Sequence, residues 1–329
     1  MLISRRRFTA SLATLAAVAL PLSHAAPARA ADYQGPIKVL VGFPPGGATD
    51  VVARLLSDKL KNILGQPIFI ENRGGAGGMI ATQQLKAAAP DGSTVMLTID
   101  HSHVVVPLTF KAPGYDPLTD FTPVAGVASY FNALAVSSSL NVKTMQQLGD
   151  WLKSNRGQAN FGVPAAGSVP QFASLIVGKS LGVDVVPVPY RGGAPLVLDL
   201  LSGQVPAGIG SLTEYIEHHR AGKMHVLAVS GTTRSKAAPE IPTFQELGLN
   251  GIDKNPWLAF FGPKGMPREF VERFSKAVEA VLQDPEVLEK FKAMGNEASY
   301  ARPEQLQEWV TSATAHWGPV IKESGYVLQ

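Results

Sequence analysis

The chain has 329 residues, 45% of them apolar, with 29 basic and 26 acidic side chains and no cysteine, so disulfides and thiol chemistry are excluded. Its sequence pI of about 9.0 belongs to the N-terminus: residues 1–30 hold Arg5, Arg6, Arg7 and Arg29 and no acid, and without them 25 basic face 26 acidic side chains. That balance gives no support for nucleic acid or an anionic membrane as partner, and about 299 remaining residues suffice for a large core in one or two domains.

Ser4-Arg5-Arg6-Arg7-Phe8 precedes an apolar run from Phe8 to Leu22, and Ala28-Arg29-Ala30 offers small residues for cleavage before Ala31. A basic start, a short apolar run and an A-x-A site predict a cleaved export signal over 1–30, of the twin-arginine form, ending after Ala30 and placing the mature chain in the periplasm. The run is shorter than the roughly 20 residues a spanning helix needs, and no later stretch reaches that length. A mature chain with no membrane insertion is expected.

Along the chain, Ile37–Val41 reads as a strand, Val51–Leu60 as part of a helix ended by Gly65, Ile68–Glu71 as a strand, Met79–Ala89 as a helix and Thr94–Ile99 as a buried strand. Phe110–Pro123 holds Pro113, Gly114, Pro117 and Pro123 and reads as a loop. Val124–Val136 is a long apolar run, Met145–Ser154 a helix, Asn160–Gly162 and Val185–Tyr190 strands, Met224–Ser230 another β-rich run, and Phe270–Leu282, Glu286–Met294 and Pro303–Lys322 helices. The simplest arrangement is two α/β lobes: 31–125 with 231–329, and 126–230, joined by Val124–Val136 and Met224–Ser230 as a hinge.

Four of these strands run into glycine-rich turns: Gly42–Asp50, Asn72–Gly78, Val163–Ser168 and Arg191–Pro195. They form two pairs, and residues 42–55 overlay 162–175 without a gap, sharing Gly42/Gly162, Pro44/Pro164, Gly47/Gly167, Ala53/Ala173 and Leu55/Leu175. A strand–turn–helix unit leaves unpaired N–H groups and a positive dipole end at its turn, so two pairs predict two half-sites for one anion in a cleft between lobes. Glycine at strand–helix turns is also common for purely conformational reasons. The turns contain only Arg73 and Arg191 as cations, so backbone amides, hydroxyls and dipoles would do most of the holding. Three or four charge-assisted bonds of about 1.5–3 kcal/mol each would support a micromolar Kd.

The candidate ligand-binding residues lie on these turns and on the ends of neighbouring strands: Phe43, Gly47, Ala48, Thr49, Asp50, Ala76, Gly77, Ser102, Ala166, Gly167, Ser168, Gln171, Arg191 and Ser211. Thr49 and Ser168 can donate through a hydroxyl, whereas Asp50 at a helix start favours capping over contact with an anion. No nucleotide loop is complete, because no lysine follows Gly47 and Ile80 stands where a third glycine belongs. His101 and His103 flank Ser102 and could present two nitrogens to a metal if on one strand face, but no third ligand follows by spacing. With no G-x-S-x-G and no H-E-x-x-H, an enzyme is not expected, nor any cofactor or metal.

Pro36–Asp50, Gly65-Gln66-Pro67, Glu71–Gly78, Ala89–Gly92, Tyr115–Pro117, Asp120-Phe121, Val188–Gly192, Leu200–Val205, Ala221–Lys223, Pro239, Pro242-Thr243 and Asp284–Val287 together resemble the Bug family, the extracytoplasmic receptors of tripartite tricarboxylate transporters. The resemblance runs in order over essentially the whole mature chain. It implies a type II periplasmic binding protein of the Venus-flytrap kind, a monomer that captures a small carboxylate without catalysis and delivers it to transporter membrane subunits. It also implies that the ligand carboxylate is held, partly through water, by the first strand–helix turn and by turns of the other lobe. Two departures bear on ligand choice. Ala165–Gln171 replaces a more polar turn, and Gly208–Ser211 stands where many relatives carry an aspartate, which favours aromatic, aliphatic or keto acids over amino dicarboxylates. A receptor feeding a signalling partner would use the same cleft, and a secreted hydrolase is the further alternative.

Overall fold

The computed structural model describes residues 33–327; the export-signal reading of 1–30 lies outside them. The first lobe opens with β1 (Ile37–Val41), α1 (Ala48–Leu64), β2 (Ile68–Asn72), α2 (Met79–Lys86) and β3 (Thr94–Ile99). A π-helical turn, His101–Val105, then runs into α3 (Val106–Thr109) and β4 (Phe121–Ser129). The second lobe holds β5 (Asn132–Ser137), α4 (Met145–Ser154), β6 (Asn160–Val163), α5 (Val169–Leu181), β7 (Val186–Pro189), α6 (Gly193–Ser202), β8 (Ala207–Ser211), α7 (Leu212–Arg220) and β9 (Met224–Val229). The chain returns through β10 (Trp257–Pro263), α8 (Arg268–Val281), α9 (Pro285–Ala293), β11 (Glu297–Ala301) and α10 (Pro303–Ser324).

Each lobe is built on one sheet. The first has strand order β11-β4-β10-β3-β1-β2 and the second β7-β6-β8-β5-β9. In the first, β1 lies between β2 and β3 with all three parallel, and β10 runs antiparallel beside β3. In the second, β6 lies parallel between β7 and β8, and β5 runs antiparallel beside β8. The two lobes therefore repeat one plan, which gives the residue matches between 42–55 and 162–175 a structural meaning: β1 with α1 and β6 with α5 are equivalent units. Their turns stand at the carboxyl ends of parallel strands, where open α/β sheets bind ligands.

The cores follow from apolar periodicity. Val52, Ala53, Leu56 and Leu60 of α1 and Phe270, Phe274, Ala277 and Val278 of α8 bury one face of the first sheet. Leu134, Phe161, Ile209, Ala173 and Val177 fill one side of the second. Strand β10 has every residue buried and supplies Leu258 and Phe260 to one core and Trp257, Ala259 and Phe261 to the layer beneath. Such a doubly covered strand shows no alternation, so periodicity alone does not reveal it.

Three expectations need correction. Pro123 belongs to β4 rather than to a loop, because the pairing with β10 is irregular there and a bulge tolerates a residue with no N–H. Met224–Ser230 is not a crossing, whereas Val124–Val136 does pass between the sheets, as parts of β4 and β5 on either side of Tyr130-Phe131. The segment 231–252 packs with the second lobe, not the first: Ala238, Ile241, Phe244, Leu249 and Ile252 are buried in that lobe's cores, and Thr243 bridges Val229. The return crossing accordingly falls near Pro256, whose carbonyl accepts the Tyr130 amide at 3.0 Å, and β9 lies wholly within the second sheet.

Candidate functional site

A cleft of about 350 Å3 opens between the lobes. Its walls are made largely by the first residues of four helices: Gly47, Ala48 and Thr49 at α1, Ser168, Val169 and Pro170 at α5, Gly192–Pro195 at α6, and Ser211, Thr213 and Glu214 at α7. The first N–H groups of a helix lack an intrahelical acceptor, so four positive dipole ends face the cleft, although the Leu212 amide of α7 already donates to the Phe131 carbonyl at 2.8 Å and the Gly192 amide to the Pro164 carbonyl at 2.8 Å.

The α1 turn is braced from within. Gly46 has φ +81°, a conformation glycine adopts at little cost, and its N–H donates to Asp50 Oδ2 at 2.8 Å. Arg54 clasps both Asp50 oxygens at 2.9 and 3.0 Å. Asn72 Nδ2 donates to Asp50 Oδ1 at 2.9 Å and to the Phe43 carbonyl at 3.0 Å. Burial alone would raise the Asp50 carboxyl, but the bonds from Arg54, Gly46 and Asn72 outweigh it and hold it below the usual carboxylate range. The α5 turn uses the same device: Gly167, at φ +68°, donates its N–H to Gln171 Oε1 at 2.9 Å, and Ser168 Oγ donates to the Ala165 carbonyl at 2.7 Å.

Of the residues named from sequence, Phe43, Gly47, Ala48, Thr49, Ser168, Arg191 and Ser211 line the cleft. Asp50, Ala166, Gly167 and Gln171 do not; Asp50, Gly167 and Gln171 shape the turns that do. Ala76, Gly77 and Ser102 also lie outside the lining. Their turn packs on its neighbours: Ser102 Oγ donates to the Gly77 carbonyl at 2.6 Å, and a Cβ on Gly78 would sit 2.3 Å from Ser102 Oγ, one on Gly42 2.9 Å from Gly78 Cα. The second glycine turn thus packs closely on the first.

Several lining residues gave no signal in the sequence. Asp100 and Tyr130 face each other across 3.4 Å. Burial pushes the Asp100 carboxyl up to about 7, against the opposing bonds from the His101 amide and the Tyr130 hydroxyl. Glu214 sits in the first turn of α7, where an acid is expected for the dipole alone, and burial raises its carboxyl too. Thr213 Oγ1 donates to Asn296 Oδ1 at 3.4 Å, joining the two lobes at the cleft rim.

The two histidines part company because β3 ends at Ile99 and they enter the π-helical turn rather than one strand face. His101 lines the cleft, and burial pulls its imidazole down to about 4. His103 stacks on Phe261 with centroids 3.8 Å apart, and burial pulls it down to about 3. Among the described residues no three His, Asp or Glu side chains gather to hold a metal ion.

A fold of two repeated α/β lobes with a donor-lined cleft between them defines a type II periplasmic binding protein. The chain belongs to the tripartite tricarboxylate transporter receptor family (TctC), whose family model matches residues 52–326. It is 33% identical over 307 residues to Protein BugT of Bordetella pertussis, covering 93% of this chain and 94% of that one. Its structure is similar to that of periplasmic binding protein BugD, with a TM-score of 0.81 at 31% identity, covering 90% of this chain and 100% of that chain. It is likewise similar to R. palustris Rpa4515 with adipate, at TM-score 0.82 and 32% identity over 88% of this chain and 97% of that chain. No helix among the described residues is long and apolar enough to cross a membrane.

Proposed function

We propose that this protein is a periplasmic receptor that captures a small carboxylate in the interlobe cleft and delivers it to the membrane subunits of a tripartite tricarboxylate transporter, without catalysis. The observation that carries this reading is the convergence of the α1, α5, α6 and α7 N-termini on one cleft. Dipole ends and free amides from both lobes favour an anion that touches both. Arg191 is the only Lys or Arg among the described lining residues, and it forms no ion pair there. A modest, reversible affinity suits a receptor that must release its cargo. The adipate-bound relative supports a carboxylate as the cargo class.

Residues 1–30 are proposed to direct export through the twin-arginine route, which a double Arg5→Lys, Arg6→Lys variant tests by accumulation of unprocessed precursor. The receptor function is tested by a thermal-shift screen of mature protein against carboxylic acids. A ligand that binds only the folded state stabilises it by about 2.7 kcal/mol at 100 times its Kd. Failure of every acid in a broad panel to raise the melting temperature removes the carboxylate reading. Turnover of a bound acid would remove the non-catalytic one.

A further inference from the structure

The cleft that attracts an anion also contains an acid of its own. Glu214 lines the cleft and is mostly shielded from water, yet it accepts no hydrogen bond and forms no ion pair among the described residues. Its carboxylate lies against the first residue of α6: a Cβ placed on Gly193 would be 1.8 Å from Glu214 Oε2 and 2.2 Å from Oε1. Gly193 is not among the positive-φ glycines, and its Cα faces the far end of the Glu214 side chain. One of the four helix ends therefore already faces a resident carboxyl group.

The other charged groups do not offset it. Arg191 is exposed, His101 is held neutral by burial, and Asp100, on the first lobe, is a second acid in the lining. A ligand carboxylate finds open helix ends at α1 and α5, where Thr49 and Ser168 stand. At the α6–α7 side it meets Glu214, with Ser211, Thr213 and Asn296 nearby in the lining. A second ligand carboxylate there would meet like charge in a desolvated place, whereas a donor would satisfy an acceptor that has no partner.

Building on the carboxylate reading above, we propose that Glu214 is a specificity-determining residue that selects ligands with one carboxylate and, at the opposite end, a hydrogen-bond donor, an ammonium group best, over dicarboxylates of equal length.

The test is calorimetric titration of the mature protein and of its Glu214→Gln variant with matched probes: succinate, glutarate and adipate against 4-aminobutanoate, 5-aminopentanoate and 6-aminohexanoate. The parent is expected to bind at least one aminocarboxylate about tenfold or more tightly than the dicarboxylate of the same length. In Glu214→Gln that preference is expected to vanish or invert. A Glu214→Asp variant, checked for folding by circular dichroism, is expected to keep the preference in reduced form, which separates charge from packing. Dicarboxylates binding the parent equally or better, or an unchanged ratio in Glu214→Gln, overturns the proposal and leaves the carboxylate receptor standing. Binding of none of the six probes overturns the proposal, and only failure of the wider acid panel removes the receptor reading as well.

Discussion

The amide of Tyr130 donates to the carbonyl of Pro256 at 3.0 Å, so the two chain crossings between the lobes are bonded to each other as a short antiparallel ribbon. Two residues on, Asn132 and Ser230 exchange bonds through the Asn132 amide and carbonyl, and Ser230 Oγ also meets Asn255 Oδ1 at 2.9 Å. A paired ribbon bends as a unit and resists independent movement of its strands. Tyr130 and Pro256 both line the cleft, so the paired crossings form part of its wall.

Ligand binding should therefore close the lobes. An anion touching α1 and α5 gains contacts only in the closed state, and that difference in affinity shifts the equilibrium. Small-angle scattering should show a smaller radius of gyration with saturating ligand. An unchanged radius with binding proven by calorimetry would mean a rigid, preformed cleft.

Asp50 should matter for stability and, through the shape of its turn, for binding. Asp50→Ala leaves the Gly46 amide, the Asn72 amide and the Arg54 guanidinium without their shared acceptor, and unsatisfied donors at partly buried positions cost about 1–3 kcal/mol. Its folded-state carboxyl is held below the usual range, so its contribution is present above that range and lost as pH falls through the folded value. Chemical denaturation at pH 7 should show the loss, and the gap between parent and variant should close in acid. Equal stability at pH 7 would show that the brace is idle.

Asp100 should have the opposite pH signature. Its carboxyl is raised by burial from 3.8 to about 7, so the folded state holds a proton that the unfolded chain releases from about pH 4 upward. Stability is fully present below the unfolded value and declines as pH rises toward 7. Asp100→Asn should match the parent near pH 4 and exceed it at pH 8 in thermal melts. A variant no more stable than the parent at pH 8 would show that Asp100 is not penalised by burial.

Ser168→Ala should weaken carboxylate binding by about 1 kcal/mol, the worth of one ordinary hydrogen bond, because Ser168 lines the cleft and its hydroxyl's bond to the Ala165 carbonyl shapes the turn. Gly167→Val should weaken it further, since a β-branched residue at φ +68° forces the turn to refold. Calorimetry in which both variants bind like the parent would place the site elsewhere.

The local elements were legible wherever one face alone is buried or a breaker stands at the end. α4 (Met145–Ser154) and β3 (Thr94–Ile99) coincide with their sequence-predicted bounds, and Gly65 ends α1 in the left-handed conformation. The repeat of strand, glycine turn and helix was also visible, because each strand-to-helix turn carries glycine, with φ above zero at Gly46 in one and at Gly167 in the other. Tertiary structure decided the rest. Whether Val124–Val136 was one strand or two depended on which sheet each half pairs with, and β10 was hidden because both its faces are covered. The role of a turn residue depends on what lies across from it: Gly78 and Ser102 meet each other, Asp50 meets Asn72, and Glu214, an ordinary helix-start acid in sequence, meets the cleft because α7 follows β8 at the sheet's carboxyl edge. Chain-local patterns encode backbone conformation and burial period, whereas the direction in which a polar side chain finds or lacks a partner is set by strands far apart in sequence.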